Sequence, residues 1–194
     1  MGAITRRIAN NLTLGSGRVL LNTTTITSDT ATLNFDNTLI TATYGIYEVF
    51  IEYMSSANGT ATDGHFQLSP DNGSNFSTSI DQMSHRERQD DNSSGGNVFD
   101  IASKDDQAVR IFSGTEDNLP NIGVGLITVF SPMKSDSHTL VTHTTCNDVP
   151  GSSDNIRNHF GVARDDNAQA INYFRLKFAA GDIQKAQVKL YGVL

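Results

Sequence analysis

"INYFRLKFAAGDIQKAQVKLYGVL", residues 171–194, carries the most regular apolar pattern in the chain. Phe174, Leu176 and Phe178 alternate with Tyr173, Arg175 and Lys177, and after "AAGD" the residues Ala186, Val188 and Leu190 repeat the alternation. A period of two belongs to half-buried strands, because successive side chains of an extended chain point to opposite faces. The pattern predicts two strands joined as a hairpin through AAGD, with both apolar sets on one inner face. Chain ends fray unless the fold ties them down. An apolar pattern that runs to Leu194 therefore predicts a last strand pinned by its ladder and its buried face.

The same period recurs upstream. In "YGIYEVFIEY", Tyr47, Val49, Ile51 and Tyr53 share one face while Glu48 and Glu52 share the other, with Phe50 between them. "GHFQLS" brings Phe66 and Leu68, and "AVRIF" brings Val109 and Ile111. "NIGVGLITVFS" reads as a strand with Ile122, Val124, Leu126 and Phe130 facing one way, and "HTLVTHT" and "NHFGVAR" follow. Turn-forming clusters such as "ANGTATDG", "PDNGSN", "GTEDNLPN" and "VPGSSDN" separate them. Short strands at this spacing, with no sustained 3.6-residue period, predict an all-β fold: an antiparallel β-sandwich, jelly-roll-like, with little helix.

Composition agrees. About 55 of the 194 residues are Ser, Thr or Asn, well above ordinary usage, and these residues suit pleated surfaces and the turns between them. The net charge of −7 argues against nucleic acid as a partner, since phosphate affinity rests on clustered Lys and Arg. No apolar run is long enough to insert in a membrane, and the N-terminal residues lack the apolar core of a signal peptide. Cys146 is alone, so no intrachain disulfide is expected. Six N-x-S/T sequons are present (Asn11, Asn22, Asn58, Asn72, Asn75, Asn92), and without an export signal they are expected to stay unglycosylated.

The charge is uneven. Arg6, Arg7 and Arg18 all precede the first acidic residue, Asp29. Residues 1–32 thus read as a basic N-terminal arm and first strand, and 33–194 as the sandwich domain. The arm fits an ordinary strand around "RVLLNTTTIT" and also fits a docking segment for an acidic surface. Residues 81–106 stand apart as a highly charged stretch containing two Gly. Long loops in compact domains are commonly functional, which makes His85, Arg86, Glu87, Arg88, Asp90 and Asp91 a candidate projecting binding loop. Within it, "SHRERQ" could also form a short strand.

No catalytic constellation emerges. "SPDNGSNF" matches an Asp-box hairpin, in which Asp71 bonds backbone amides ahead of it and Gly73 supplies the positive φ; its role is a structural turn. The acidic pairs Asp90–Asp91, Asp105–Asp106 and Asp165–Asp166 read as solvated turn residues, because adjacent residues in extended chain diverge and glycoside chemistry needs facing carboxylates. His138 and His143 are the one close pair, but five-residue spacing on a strand puts them on opposite faces, and no zinc or calcium spacing occurs, so no metal or cofactor is expected. His143 with Cys146 lacks an orienting acid or an oxyanion donor. With no Trp, aromatic stacking on a glycan has few candidates.

Three segments together resemble the β-sandwich modules of tailed-bacteriophage virion proteins: "FDNTLITATYGIYEVFIEYM", "HFQLSPDNGSNFS" and "AINYFRLKFAAGDIQKAQVKLYGVL". The matching positions are Phe35, Asp36, Ile40, Tyr44 and Tyr47, then Asp71 and Gly73. They continue with Arg175, Leu176, Phe178, Gly181, Ile183, Leu190, Tyr191 and Gly192. Lys185-Ala186 departs from the usual small residue and Gly. The resemblance spans residues 33–194 and implies a non-enzymatic structural protein of the virion, made in the host cytoplasm and often trimeric. It implies a tail-associated or fibre-type appendage, or alternatively a capsid-decoration or head-fibre protein. The implied partners are other virion proteins and further copies of the chain. Recognition of a host-surface glycan is the other reading.

Overall fold

The computed structural model describes residues 17–89, 97–115, 122–149 and 155–194. Residues 1–16, with Arg6 and Arg7, and the segment holding Asp90 and Asp91 lie outside these. All regular structure among the described residues is β-strand, arranged as two sheets. The larger sheet has the order β1 (Arg18–Ile26), β12 (Ile183–Val193), β3 (Ile46–Ser56), β8 (Gly123–Phe130), β9 (Leu140–Val149), β10 (Asn155–Asp165), β5 (Ile80–Gln89) and β6 (Asn97–Asp106). The smaller has the order β2 (Leu33–Phe35), β11 (Tyr173–Phe178), β4 (Thr62–Ser69) and β7 (Val109–Thr115). Every strand pairing is antiparallel.

The chain alternates between the sheets. Setting aside β5–β6 and β9–β10, eight strands remain in two sheets of four, β1-β12-β3-β8 over β2-β11-β4-β7, which is jelly-roll connectivity. The two additional pairs both extend the larger sheet beyond β8. β1 pairs with β12 from Arg18↔Val193 to Ile26↔Ala186, so these residues belong to the sandwich.

Residues 171–194 form two strands with their apolar sets buried inward, Phe174, Leu176 and Phe178 on β11 and Ala186, Val188 and Leu190 on β12. They do not form a hairpin. β11 pairs with β2 and β4, while β12 pairs with β1 and β3 in the opposite sheet. The AAGD segment carries the chain across the sandwich. Gly181 takes a φ of 75°, Ala179 N–H donates to Asp63 O at 2.8 Å, and Ala57 N–H donates to Asp182 O at 2.8 Å. The two apolar sets therefore face each other across the core, not side by side.

That core holds Phe35, Ile40, Tyr47, Phe66, Leu68, Phe174 and Leu176, none more than 1% exposed. Tyr47 lies edge-on to Phe174 with centroids 5.8 Å apart. Its hydroxyl donates to Thr41 O at 2.7 Å and accepts from Thr41 N–H at 2.6 Å, so burial leaves no polar atom stranded. Two separated family-like segments meet here. A Cβ on Gly192 would fall 2.4 Å from the Tyr44 ring, so the "LYG" ending leaves space that the opening "ATY" fills.

Three sequence expectations change. On β8 the core face is Ile127 and Val129, while Val124, Leu126 and Phe130 take the other parity. On β3 an irregularity in pairing between Ile51 and Met54 brings Met54 into the core in place of Tyr53. Within 81–106, the described residues are strand and not loop: 81–89 lie on β5 and 97–106 on β6, which pair antiparallel at the sheet edge. Their polar content suits a strand with solvent on one face and a polar interior on the other.

Candidate association surface and polar cleft

Four strands cannot cover eight, and this mismatch organises the surface of the molecule. Among the described residues, no other element packs over the outer face of the larger sheet. Of eight large apolar side chains exposed among the described residues, seven lie on this face: Leu20, Phe50, Met83, Leu140, Ile156, Phe160 and Val162. Register places four of them, Phe50, Phe160, Val162 and Met83, in two adjacent rows. Phe50 opposes Leu126, Leu126 opposes Thr144, Thr144 opposes Phe160, and Phe160 opposes His85. A second row runs Thr128, Thr142, Val162, Met83 and Ala102. With strands ~4.8 Å apart, five strands span roughly 20 Å. A depression of about 570 Å³ opens between Met83, Ala102, Phe160 and Val162.

Three cations on this face are paired within it. Arg18 Nε lies 2.6 Å from Glu48 Oε2, and its guanidinium stacks 4.0 Å from the Tyr191 ring centre. Lys189 is paired with Glu52. Arg164 reaches Asp81 at 3.0 Å and Asp166 at 2.6 Å. Arg18, grouped with Arg6 and Arg7 in the docking arm, is thus placed on β1 with its charge already matched.

The candidate loop residues are divided by the strand. His85 and Glu87 lie on the outer face, His85 Nε2 3.5 Å from Glu87 Oε1. Arg86 turns inward, its guanidinium donating to Ser113 Oγ at 2.6 Å. Arg88 pairs through its backbone with Arg157 and Asn97.

Beneath β7 the interior becomes polar. His143 on β9 and His159 on β10 are 4% and 1% exposed. The His143 ring occupies space that Gly161 opposite leaves open, since a Cβ there would sit 2.1 Å from Nε2. Burial pushes His143 down to about 4. Burial first, and then His143 and the cations of Arg86, Arg157 and Arg110, push His159 down to about 3. His143 Nδ1 and His159 Nε2 are buried without a hydrogen-bond partner. Cys146 has the opposite parity on β9 and its thiol is pushed up, mainly by burial. The two do not form a nucleophile pair.

Asp71 and Gly73 close the turn after β4. Asp71 Oδ2 accepts from Asn75 Nδ2–H at 2.6 Å, and its Oδ1 accepts from Asn75 N–H at 2.7 Å and Ser69 Oγ–H at 2.8 Å; these bonds, the Asn75 side chain's first, hold its carboxyl below the usual range. Gly73 has φ 85°, and a Cβ there would meet the Tyr173 ring at 2.8 Å. Asp165 is buried too. Ser77 and Asn167 donate to its Oδ1, and Gln169 donates to Oδ2.

On the outer face of the smaller sheet, Arg110, His65 and Lys177 stand in one cross-strand row over β7, β4 and β11. The end of β6, with Asp105 and Asp106, and the turn into β7 fold beside them, enclosing a cleft of about 530 Å³. Gln82 crosses from β5, donating to Ala108 O at 3.1 Å and accepting from Arg110 N–H at 3.0 Å, which satisfies the open edge of β7. Gln67 donates to Gln107 O at 3.0 Å and accepts from Arg175 at 2.6 Å. Burial, ahead of the neighbouring charges, lowers His65. Sequence reading missed this cleft, because its members come from five strands and share no local motif. The one signal was the polar parity of β4 and β11, His65 and Gln67 with Arg175 and Lys177.

Among the described residues no group of three or more His, Cys, Asp or Glu is positioned to hold a metal ion. No helix among them is long and apolar enough to cross a membrane. No protein-family model, curated protein or solved structure matches the chain.

Proposed function

We propose that this chain is a non-enzymatic structural component of a bacteriophage virion, a tail-associated or fibre-type appendage that assembles through the outer face of its larger sheet. The observation that carries the reading is the concentration of exposed apolar side chains on that one face. Contiguous apolar surface beyond a few hundred Å² marks an interaction site on a folded protein. Arg18, Lys189 and Arg164 are already ion-paired there, so these three cations need no partner from a second copy, although each chain carries −7. Phage membership rests on the ordered motifs, whose residues hold the jelly-roll core. The other copies in a trimer and a neighbouring virion protein are the partners this reading assigns.

The experiment is to image purified phage particles that contain the chain, labelled with an antibody against it. Label on the tail supports the appendage reading, and label on capsid facets or vertices replaces it with capsid decoration. Absence of the chain from purified particles contradicts both.

A further inference from the structure

We propose that the polar cleft between β4, β7, β11 and the β6–β7 connection is a saccharide-binding site, independent of how the chain assembles. Its chemistry narrows the ligand. The floor presents Arg110, His65 and Lys177, and the wall presents the Asp105 and Asp106 carboxylates. A bare anion would face both carboxylates, and a bare cation would face Arg110 and Lys177. An apolar ligand finds almost no apolar wall. Hydroxyl groups donate and accept, so a polyhydroxylated ligand can meet both sides at once.

The frame is fixed before a ligand arrives. Arg110 Nε is 3.1 Å from Asp63 Oδ2, and Asp106 is held by Gln82 and Ser103. Both side-chain amides, Gln67 and Gln82, are tied to backbone atoms. Lys177 makes no ion pair among the described residues, and Asp105 is exposed at a φ of 57°. These two side chains remain available to a ligand, on opposite sides of the cleft. Its volume of about 530 Å³ lies within the ~300–1,000 Å³ of small-molecule sites.

The test is to apply the full chain to an oligosaccharide array and titrate the best-retained saccharide in solution. The same titration is run on Lys177→Ala and Asp105→Asn, the latter because Asn tolerates the left-handed backbone. Inorganic phosphate and free glycine serve as competitors, and thermal melts check folding. The expected result is retention of at least one saccharide, a Kd at least tenfold weaker in both variants, and no displacement by phosphate or glycine. Retention of no saccharide overturns the proposal. So does equal affinity in both folded variants, which would place the ligand elsewhere. Full displacement by phosphate or by glycine would make the cleft an anion or zwitterion site and overturn it as well.

Discussion

Lowering the pH from 7.5 to 5.0 should weaken the fold through His143 and His159. In the unfolded chain both titrate near 6.5, whereas the folded interior pushes them down to about 4 and about 3. Above pH 6.5 both states hold the rings neutral and the pair costs nothing. As pH falls below 6.5 the unfolded chain binds protons that the folded chain refuses, so stability drops until the folded values are reached. At pH 5.0 the deficit is ~1.5 units for each ring, and at ~1.36 kcal/mol per unit this is ~2 kcal/mol each, ~4 together. Against a typical total of ~5–15 kcal/mol this is a large loss. Urea unfolding followed by circular dichroism, repeated at half-unit pH steps, measures it. The slope between pH 6 and 5 should approach ~2.7 kcal/mol per unit. His65 is also lowered and adds in the same direction, so the comparison with His159→Gln isolates the share of His159. That variant should lose ~1.4 kcal/mol per unit of slope. A flat profile from pH 7.5 to 5.0, or an unchanged slope in the variant, would refute the account of the polar interior.

Other perturbations test the core. Gly192→Val places a Cβ 2.4 Å from the Tyr44 ring and should cost ~1–3 kcal/mol by overpacking, read as a lower urea midpoint with unchanged m. Tyr44→Ala in the same background should recover part of that loss. Deleting residues 189–194 removes Leu190 from the core and, from Lys189 onward, the pairing of β12 with both β1 and β3. The truncated chain should lose cooperative melting, and a soluble product with a sharp transition would contradict the role given to the last strand.

The sandwich could be read from alternation because β11, β12 and the first half of β3 are apolar on one face and polar on the other. Where that contrast fails, so does the reading. β8 is apolar on both faces, Ile127 and Val129 inward and Val124, Leu126 and Phe130 outward, so its period carries no direction. Tyr53 and Met54 exchanged places because an irregular step in pairing shifts the parity, and no residue type announces it. A hairpin and a crossover between sheets demand the same alternation, so residues 171–194 could not tell them apart. β5 looked like a loop because its inward residues are polar: Arg86 reaches Ser113, close to His159. The outer apolar face was hidden for a related reason: Phe160, Val162 and Met83 become neighbours only through register. The Asp105–Asp106 pair read as solvated turn residues. Only the fold places it against Lys177 and His65.

Sedimentation equilibrium of the chain and of Phe160→Lys tests the central claim most directly. Phe160 is 46% exposed in the apolar row, between Thr144 and His85, so lysine there leaves the core untouched while placing a charge in the contact. The account predicts that the wild-type chain sediments as an oligomer. Phe160→Lys should sediment as a monomer with an unchanged far-ultraviolet spectrum and melting that stays cooperative. A wild-type chain that remains monomeric at high concentration, or a variant that associates as strongly as wild type, would contradict the assignment of this face to assembly.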